Sequence, residues 1–290
     1  MTLLALASGT TIRPVSTRVR PTASSAHGVP VAAGSRSVVY ARGEDSVAKV
    51  PLDTTPSSWI QYEATFTAVA RAAGAIAPEL RGIETHDGRT VAVYERVAGA
   101  SMWQHVAGTP HRAADAGVRL ARIHASLFAL APPVSLPTLA QRLRTKIRNV
   151  AATDPTAAAF VDAVPDGPTS LAMCHGDLHP GNVIMGPRGP VVIDWFDAAV
   201  GDPIADVART LLLLEEARPA HLPGGSDDIR CILAAAYLAE LSTRIEIDPT
   251  RLAQWKIVHA VARRSEGIHP TTPPQQAPAQ DQTPLWPRQA

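Results

Sequence analysis

The chain of 290 residues contains few cysteines, few lysines and almost no net charge. Its two cysteines, Cys174 and Cys231, fall inside apparent helices or strands, so we expect buried thiols rather than a disulfide framework. A formal net charge of +1 argues against a nucleic acid or another polyanion as a partner. The apolar runs are too short for a membrane span, and the first residues make a poor signal peptide.

One segment, residues 174–195, carries most of the chemical information. Asp177 is followed after five residues by Asn182, and Asn182 after twelve more by Asp194. A Pro-Gly pair directly before Asn182 breaks any helix and predicts a loop. Asp194 follows the β-branched run 191–193, which predicts a buried strand with Asp194 at its end.

This order of side chains suits phosphoryl transfer from a nucleotide. A protein that transfers a γ-phosphoryl group supplies positioning and neutralises phosphate charge, and does little covalent chemistry itself. Magnesium prefers oxygen ligands and keeps several waters, so one amide oxygen and one carboxylate suffice. We therefore expect Asn182 and Asp194 to bind magnesium, and Asp177 to act on the acceptor hydroxyl as its base or orienting group.

The same residues resemble a known family. The pattern His-Gly-Asp-x-His-x-x-Asn at 175–182, then Ile193-Asp194-Trp195, resembles the catalytic loop and metal segment of the aminoglycoside phosphotransferase family. Gly201-Asp202-Pro203 and Asp206 resemble the segment that leads into that family's next helix. The resemblance implies an α+β, two-lobed protein-kinase-like fold with a strand-rich N-lobe and a helical C-lobe. It also implies ATP and Mg²⁺ as cofactors.

A nucleotide-binding lobe should then precede the loop. Lys49 lies in the apolar strand-like run 46–50 and is one of only three lysines in the chain. It resembles the kinase lysine that contacts the α- and β-phosphates. Glu63 follows fourteen residues later in a helix predicted from Trp59 to about Ala73, and would be its ion-pair partner. A surface lysine and a surface glutamate are the alternatives.

Two further stretches take the places of the other nucleotide contacts. Gly34 and Ser35 lie in a hairpin where the phosphate-covering loop is expected, although this stretch has fewer glycines than a Gly-rich loop. An Asp-Gly turn at 87–88 predicts a second hairpin. Its second strand leads to Glu95 and Val97, whose backbone groups are expected to contact the base at a hinge. Plain hairpins would look the same.

The chain divides into three parts on this reading: a nucleotide-binding lobe over 1–98, a helical catalytic and acceptor-binding lobe over 99–265, and a disordered Pro/Gln-rich tail over 266–290. Periodicity predicts helices in the second part over residues 113–130, 138–151, 205–216, 228–241 and 249–264. The basic residues of the second of these helices are expected to form a solvated face.

Two other functions compete with a kinase. His175, Asp177 and His179 alternate along the chain, as ligands of a metal-dependent hydrolase do. The Pro-Gly pair after them favours a loop instead, with both histidines supporting the loop and Trp195 packing inside the protein. The other alternative is a kinase-like nucleotide-binding module without turnover.

The sequence therefore predicts an ATP-dependent phosphotransferase that acts on a hydroxyl of a small molecule. The family resemblance implies an antibiotic such as an aminoglycoside, a choline-like or amino alcohol, or a sugar as possible acceptors. We expect a cytoplasmic enzyme, because ATP is found there. The sequence does not identify the acceptor or the oligomeric state.

Overall fold

The computed structural model describes residues 29–34, 36–164, 171–216 and 227–266. Its N-terminal part is one antiparallel sheet with the strand order β1-β2-β3-β5-β4. Asp87 and Gly88 form the turn between the last two strands with φ of 50° and 75°, which confirms the predicted hairpin. The strands are β1 (Val29–Ala33), β2 (Ser37–Arg42), β3 (Ser46–Pro51), β4 (Leu80–His86) and β5 (Arg89–Glu95).

Helix α1 (Ser57–Ala72) connects β3 to β4 and packs against one face of this sheet. Ile60 and Ala64 of the helix are buried against Ala92 and Tyr94 of β5. The helix that the sequence predicts from Trp59 is therefore confirmed. Its packing brings the Glu63 position over the strand that carries Lys49.

The remaining part is mainly helical. Two small antiparallel sheets, β6-β8-β9 and β7-β10, lie between the helices. The helices are α2 (Met102–Gly108), α3 (Ala113–Phe128), α4 (Leu139–Ala151), α5 (Pro203–Glu216), α6 (Asp227–Ser242) and α7 (Pro249–Arg263). The strands are β6 (Ala100–Ser101), β7 (Ala172–Cys174), β8 (Val183–Gly186), β9 (Gly189–Val192) and β10 (Ala199–Gly201). The five predicted C-terminal helices are confirmed to within about two residues at each end, the usual uncertainty of helix boundaries.

Two hydrophobic cores support the helical part. The larger joins α1, α3, α5 and α6, and includes Leu120, Trp195 and Tyr237. The second joins α4, α5 and α7, and includes Ile147 and Trp255. Helix α5 contributes to both cores and is therefore held by packing on two of its faces.

The cysteine prediction is half correct. Cys174 is buried in β7, whereas Cys231 is exposed on α6, and both thiols are free. The prediction fails for Cys231 because the neighbours Leu233 and Tyr237 form the buried face of α6, and residue 231 points away from it. Within the described ranges, the structure has no helix that is both long and apolar enough to cross a membrane.

Candidate active site

The loop after β7 is held by a buried aspartate on α5. Asp206 accepts hydrogen bonds from the backbone N–H of His175 at 2.7 Å and of Gly176 at 2.9 Å. His124 of α3 contacts the same carboxylate at 3.0 Å. Gly176 has a φ of +77°, and a Cβ there would lie 2.3 Å from the carbonyl oxygen of Asp197. The loop can therefore pass this point only with glycine.

Both loop histidines support the backbone, as the sequence predicts. His175 is fully buried, accepts from the N–H of Asp177 at 3.2 Å and contacts the carbonyl of Ile193 at 3.1 Å through its other ring nitrogen. His179 accepts from the N–H of Gly181 at 3.0 Å. Burial lowers the pKa of both imidazoles. Trp195 is a buried packing residue, also as predicted. Because His175 uses both ring nitrogens and His179 one for backbone contacts, the geometry disfavours the metal-hydrolase alternative.

Asp177 and Asn182 face each other across the loop. The amide nitrogen of Asn182 donates to the carbonyl oxygen of Asp177 at 2.9 Å and lies 3.5 Å from Asp177 Oδ2. The other oxygen, Asp177 Oδ1, accepts from Nη2 of Arg209 at 2.8 Å. Burial by itself would raise the pKa of Asp177, but the opposing charge of Arg209 outweighs it and holds the pKa well below its usual range.

Lys49, Glu63 and Asp194 come together from three separate elements. Lys49 Nζ lies 2.5 Å from Glu63 Oε2 and 3.4 Å from Asp194 Oδ1. Burial alone would lower the pKa of Lys49, but the two carboxylates raise it, so the ammonium form is stabilised. Burial raises the pKa of Glu63 to about 7 against the attraction of Lys49. Glu63 is buried, and the Lys49 side chain is only 15% exposed and paired with two carboxylates, which disfavours the surface-residue alternatives.

Asp194 differs from its two partners in exposure and backbone. Its side chain is 44% exposed, and its φ is +66°, a left-handed value that is uncommon for residues other than glycine and asparagine. The residue follows β9, as predicted from the apolar run before it. The N–H of Ile193 donates to the carbonyl of Asn182 at 2.9 Å, so the Asp194 segment is directly joined to the catalytic loop.

The proposed metal ligands suit a hard divalent cation. The Asn182 amide uses its nitrogen to hold the loop, which leaves its oxygen available as a ligand. Asp194 contributes an accessible carboxylate from the adjoining segment. One amide oxygen and one carboxylate form the set that Mg²⁺ accepts with substrate phosphates and water.

The first hairpin reaches towards this cluster through an arginine that sequence reasoning left unassigned. The N–H of Gly34 donates to the carbonyl of Ser37 at 2.8 Å and closes the tip, while Ser35 lies outside the described residues. The guanidinium of Arg36 lies over the ring of Trp59 at 4.8 Å, and Trp59 stacks on Phe196 with centroids 4.8 Å apart. Phe196 is two residues beyond Asp194. The hairpin is thereby linked to the segment of the predicted metal ligand.

The predicted hinge follows β5. The N–H of Glu95 is taken by the carbonyl of Glu79 at 2.9 Å, so only the carbonyl of Glu95 is left for a base. Among the described residues, the N–H of Val97 donates to no backbone carbonyl. Gly99 has a φ of +137°, and a Cβ there would lie 2.3 Å from the carbonyl oxygen of Met185. The hinge is therefore packed directly against β8.

Sequence reasoning missed a charged network behind Asp177. Arg209 also contacts Glu266 at 3.2 Å, and Lys146 Nζ lies 2.9 Å from both Glu266 and Asp197. The signal for Arg209 was present in the sequence, since Asp206 and Arg209 are one helical turn apart and are the only charged residues of the helix before its final Glu-Glu pair. Glu266 lies in a final helical turn, Arg264–Glu266, and the rest of the predicted tail lies outside the described residues.

The prediction of a solvated basic face on α4 is wrong for most of its members. Arg142 donates to the backbone carbonyls of Phe196 and Ala198, and Arg144 donates to that of Val164. Lys146 is in the network described above, and only Arg148 is exposed. Long basic side chains can bury their stems and still reach polar partners, so helical position alone did not show which way they point.

Comparison with known proteins identifies the family. The profile of the phosphotransferase enzyme family matches residues 27–254, which is most of the chain. This chain belongs to the phosphotransferase enzyme family. The matched residues include all the site residues described here except Glu266. The comparison with curated proteins found no match.

Solved structures similar to this phosphotransferase share its kinase-like fold. A crystal structure of aminoglycoside-3'-phosphotransferase of type VIII has a TM-score of 0.60 and 21% identity, over 80% of this chain and 90% of that one. Aminoglycoside phosphotransferase APH(3'')-Id from Streptomyces rimosus has a TM-score of 0.59 and 18% identity, over 81% and 92%. Amicoumacin kinase hAmiN, solved with AMP-PNP, Ca²⁺ and Ami, has a TM-score of 0.54 and 14% identity, over 83% and 80%. The predicted α+β kinase-like fold is confirmed.

Proposed function

We propose that this phosphotransferase transfers the γ-phosphoryl group of ATP to a hydroxyl of a small molecule. The observation that carries the proposal is the convergence of Lys49, Glu63 and Asp194, with Asp194 joined to the Asp177–Asn182 loop through Ile193. A charged, half-buried lysine, an accessible carboxylate and an amide oxygen form a suitable set for a metal-bound triphosphate.

Each residue then has a distinct task. Lys49, oriented by Glu63, would hold the α- and β-phosphates. Asn182 and Asp194 would bind Mg²⁺, which neutralises phosphate charge when it is bound with the nucleotide. Asp177 would orient the acceptor. The acceptor oxygen bonds to the γ-phosphorus, the bond to the bridging oxygen of ADP breaks, and the hydroxyl proton passes to the Asp177 carboxylate.

The base would bind at the hinge after β5. The carbonyl of Glu95 and the N–H of Val97 offer one acceptor and one donor, which suit the edge of adenine. Gly34 would allow the hairpin backbone to approach the phosphates closely. Arg36, held over Trp59, would limit how far this hairpin opens.

The pairing of carboxylates around Asp177 bears on the charge of the acceptor. A polycationic aminoglycoside requires unpaired carboxylates near the reacting hydroxyl. Among the described residues near Asp177, Asp197 is paired with Lys146, and Glu266 with Lys146 and Arg209. Glu215 at the end of α5 is likewise paired, with Lys256. These paired carboxylates suit acceptors of low charge, such as amino alcohols, sugars and weakly charged antibiotics, better than polycations.

A screen for acceptor-dependent ADP release tests the proposal. The panel should contain aminoglycosides, choline, ethanolamine, sugars and uncharged hydroxyl-bearing antibiotics, each with Mg·ATP and with Mg·GTP. Release that rises with one acceptor, and a product heavier by one phosphoryl group, would support the proposed transfer. Nucleotide binding without turnover for any acceptor would favour a binding module instead.

Asp177→Ala should abolish transfer while leaving ATP affinity within about twofold, because Asp177 acts on the acceptor and not on the nucleotide. The loss should be at least about 10²-fold in kcat. Steady-state kinetics and calorimetric titration with a non-hydrolysable ATP analogue measure the two effects. Asp115→Ala, which removes an exposed carboxylate from α3, is the control and should keep normal kinetics. Near-normal turnover of Asp177→Ala would show that Asp177 does not act on the acceptor hydroxyl.

A further inference from the structure

Arg209 occupies an unusual position for a charged residue. It lies in the middle of α5, its side chain is 5% exposed, and it faces the catalytic loop. Its Nη2 donates to Asp177 Oδ1 at 2.8 Å. Asp206, one turn earlier on the same helix, holds the backbone of this loop. One face of α5 therefore fixes both the backbone of the loop and the side chain of Asp177.

The same guanidinium nitrogen also contacts a second carboxylate. Glu266 accepts from Arg209 Nη2 with both carboxylate oxygens at 3.2 Å. Lys146 of α4 bridges Glu266 and Asp197, each at 2.9 Å. Positive and negative groups thus alternate in the order Lys146, Glu266, Arg209 and Asp177. Since Nη2 is shared by two carboxylates and the side chain is 5% exposed, Arg209 has little freedom to change its rotamer.

This network makes the two oxygens of Asp177 unequal. Oδ1 is taken by Arg209, whereas Oδ2 lies 3.5 Å from the amide nitrogen of Asn182 and 3.9 Å from Nε2 of His179. The Asp177 side chain remains 26% exposed. Oδ2, on the side of the predicted metal ligand Asn182, is the oxygen left for an acceptor hydroxyl.

We propose that Arg209 is a positioning residue, which clamps Asp177 Oδ1 so that Oδ2 is presented to the acceptor. The expected effect of Arg209 on the reaction rate rests on the proposed phosphoryl transfer. Its expected effect on the orientation of Asp177 rests only on the ion pair. A buried ion pair does not by itself stabilise a protein, because desolvation offsets the attraction. Nε of Arg209 also has no hydrogen-bond partner among the described residues, so the pairing is incomplete as a purely structural feature. An orienting function gives the Nη2 contact with Asp177 a reason other than stability.

Arginine suits this function better than lysine. Its planar group donates to Asp177 and Glu266 from one nitrogen in a fixed plane, while a lysine ammonium would follow either carboxylate. Arg209→Lys should therefore retain charge and lose most of the orientation. Misplacement of a reacting group by about 1 Å can cost about 10²-fold in rate.

The kinetic experiment compares Arg209→Ala and Arg209→Lys with the wild type at saturating Mg·ATP, using the best acceptor of the screen or water. We expect kcat to fall about 10²-fold in Arg209→Ala and less in Arg209→Lys, with KM for ATP unchanged within about twofold. Added guanidinium should restore at least about a tenth of the lost activity in Arg209→Ala by filling the vacated space.

Arg230→Ala is the matched control. Arg230 is also a buried arginine of this lobe, but it donates to the carbonyls of Leu214 and Glu215 at the far end of α5. This variant should show neither the selective fall in kcat nor the rescue. A kcat of Arg209→Ala within about threefold of wild type, or a rise in KM alone, would overturn the inference.

A structural readout separates this inference from the proposed function. Crystal structures of the wild type and Arg209→Lys should show the Asp177 carboxylate in different orientations, whether or not the protein has turnover. An unchanged Asp177 rotamer in Arg209→Lys would overturn the clamp even if the enzyme is active. If the wild type has no turnover but Asp177 is displaced in Arg209→Lys, the proposed function is contradicted and the clamp is supported.

Discussion

At the residue scale, burial decides what each ionisable group does. Lys49 and Glu63 would be ordinary surface residues on an exposed strand and helix, yet they form an ion pair 2.5 Å apart beside Asp194, with Glu63 buried and Lys49 half-buried. The carboxylates keep Lys49 charged, which a lysine that binds phosphate requires. Asp177 and Asp206 are likewise held as carboxylates inside the protein by cationic or N–H partners.

His259 of α7 gives a prediction for pH dependence. Burial lowers the pKa of its imidazole from 6.5 to about 3. The unfolded chain binds a proton here below about pH 6.5, while the folded chain stays neutral, so stability falls as pH falls through this window. The slope from this residue should approach about 1.4 kcal/mol per pH unit near pH 5.

His259→Gln should reduce this slope, because the amide does not titrate. Urea unfolding at pH 5, 6 and 7 measures the free energy of unfolding for each variant. His111→Gln, which changes an exposed histidine, is the control and should keep the wild-type slope. Equal slopes in His259→Gln and the wild type would show that this histidine is not held neutral by the fold.

At the element scale, close helix packing positions the site as much as the strands do. Helix α3 supplies His124 to the Asp206 network and packs on α6, while α5 connects the two cores. The periodicity of the sequence predicted these helices because their apolar residues recur every three or four positions. It did not predict that the basic residues of α4 turn inward, since that depends on acceptors contributed by the loop before β10, by Val164 and by the final turn.

Gly117 shows how tight the α3–α6 packing is. A Cβ at this position would lie 2.3 Å from the carbonyl oxygen of Leu233 and 2.9 Å from the amide nitrogen of Tyr237. Alanine is favoured over glycine in a helix by about 1 kcal/mol, but the contact is with backbone that cannot easily move. We expect Gly117→Ala to lower the free energy of unfolding by about 1–3 kcal/mol.

Gly82→Ala is the control for this experiment, because a Cβ there meets nothing within 4 Å. Its free energy of unfolding should change by less than about 0.5 kcal/mol. Both variants can be measured by urea denaturation. A Gly117→Ala variant that is as stable as the wild type would mean that the two helices pack less closely than described.

At the scale of the whole molecule, the site joins two lobes. Lys49 and Glu63 come from the sheet and α1, whereas Asn182 and Asp194 come from the helical part. A metal-bound nucleotide that contacts both groups should stabilise the entire chain. Ligand at 100 times its Kd adds about 2.7 kcal/mol to the free energy of unfolding.

We therefore expect Mg·ATP to raise the Tm of the wild type and EDTA to cancel most of the rise. Asp194→Ala should lose the magnesium-dependent part, because it removes the accessible carboxylate of the proposed metal site. Thermal unfolding with ATP, with and without Mg²⁺, measures both effects, and Asp115→Ala is again the control. A magnesium-dependent rise in Asp194→Ala equal to that of the wild type would argue against Asp194 as a ligand.

The sequence by itself determined most helices and strands and pointed to the candidate catalytic loop. These depend on local patterns: apolar periodicity, the Asp-Gly turn, and the spacing of Asp177, Asn182 and Asp194. Only the tertiary structure decided which side chains that are far apart in the sequence come into contact. The pairing of Arg209 with Asp177 and Glu266 requires separate elements to pack at one place, and the pair of Lys49 and Glu63 was expected only from the family resemblance. Burial then sets the charge and orientation of each group, and burial is a property of the packed chain, which no local spacing encodes.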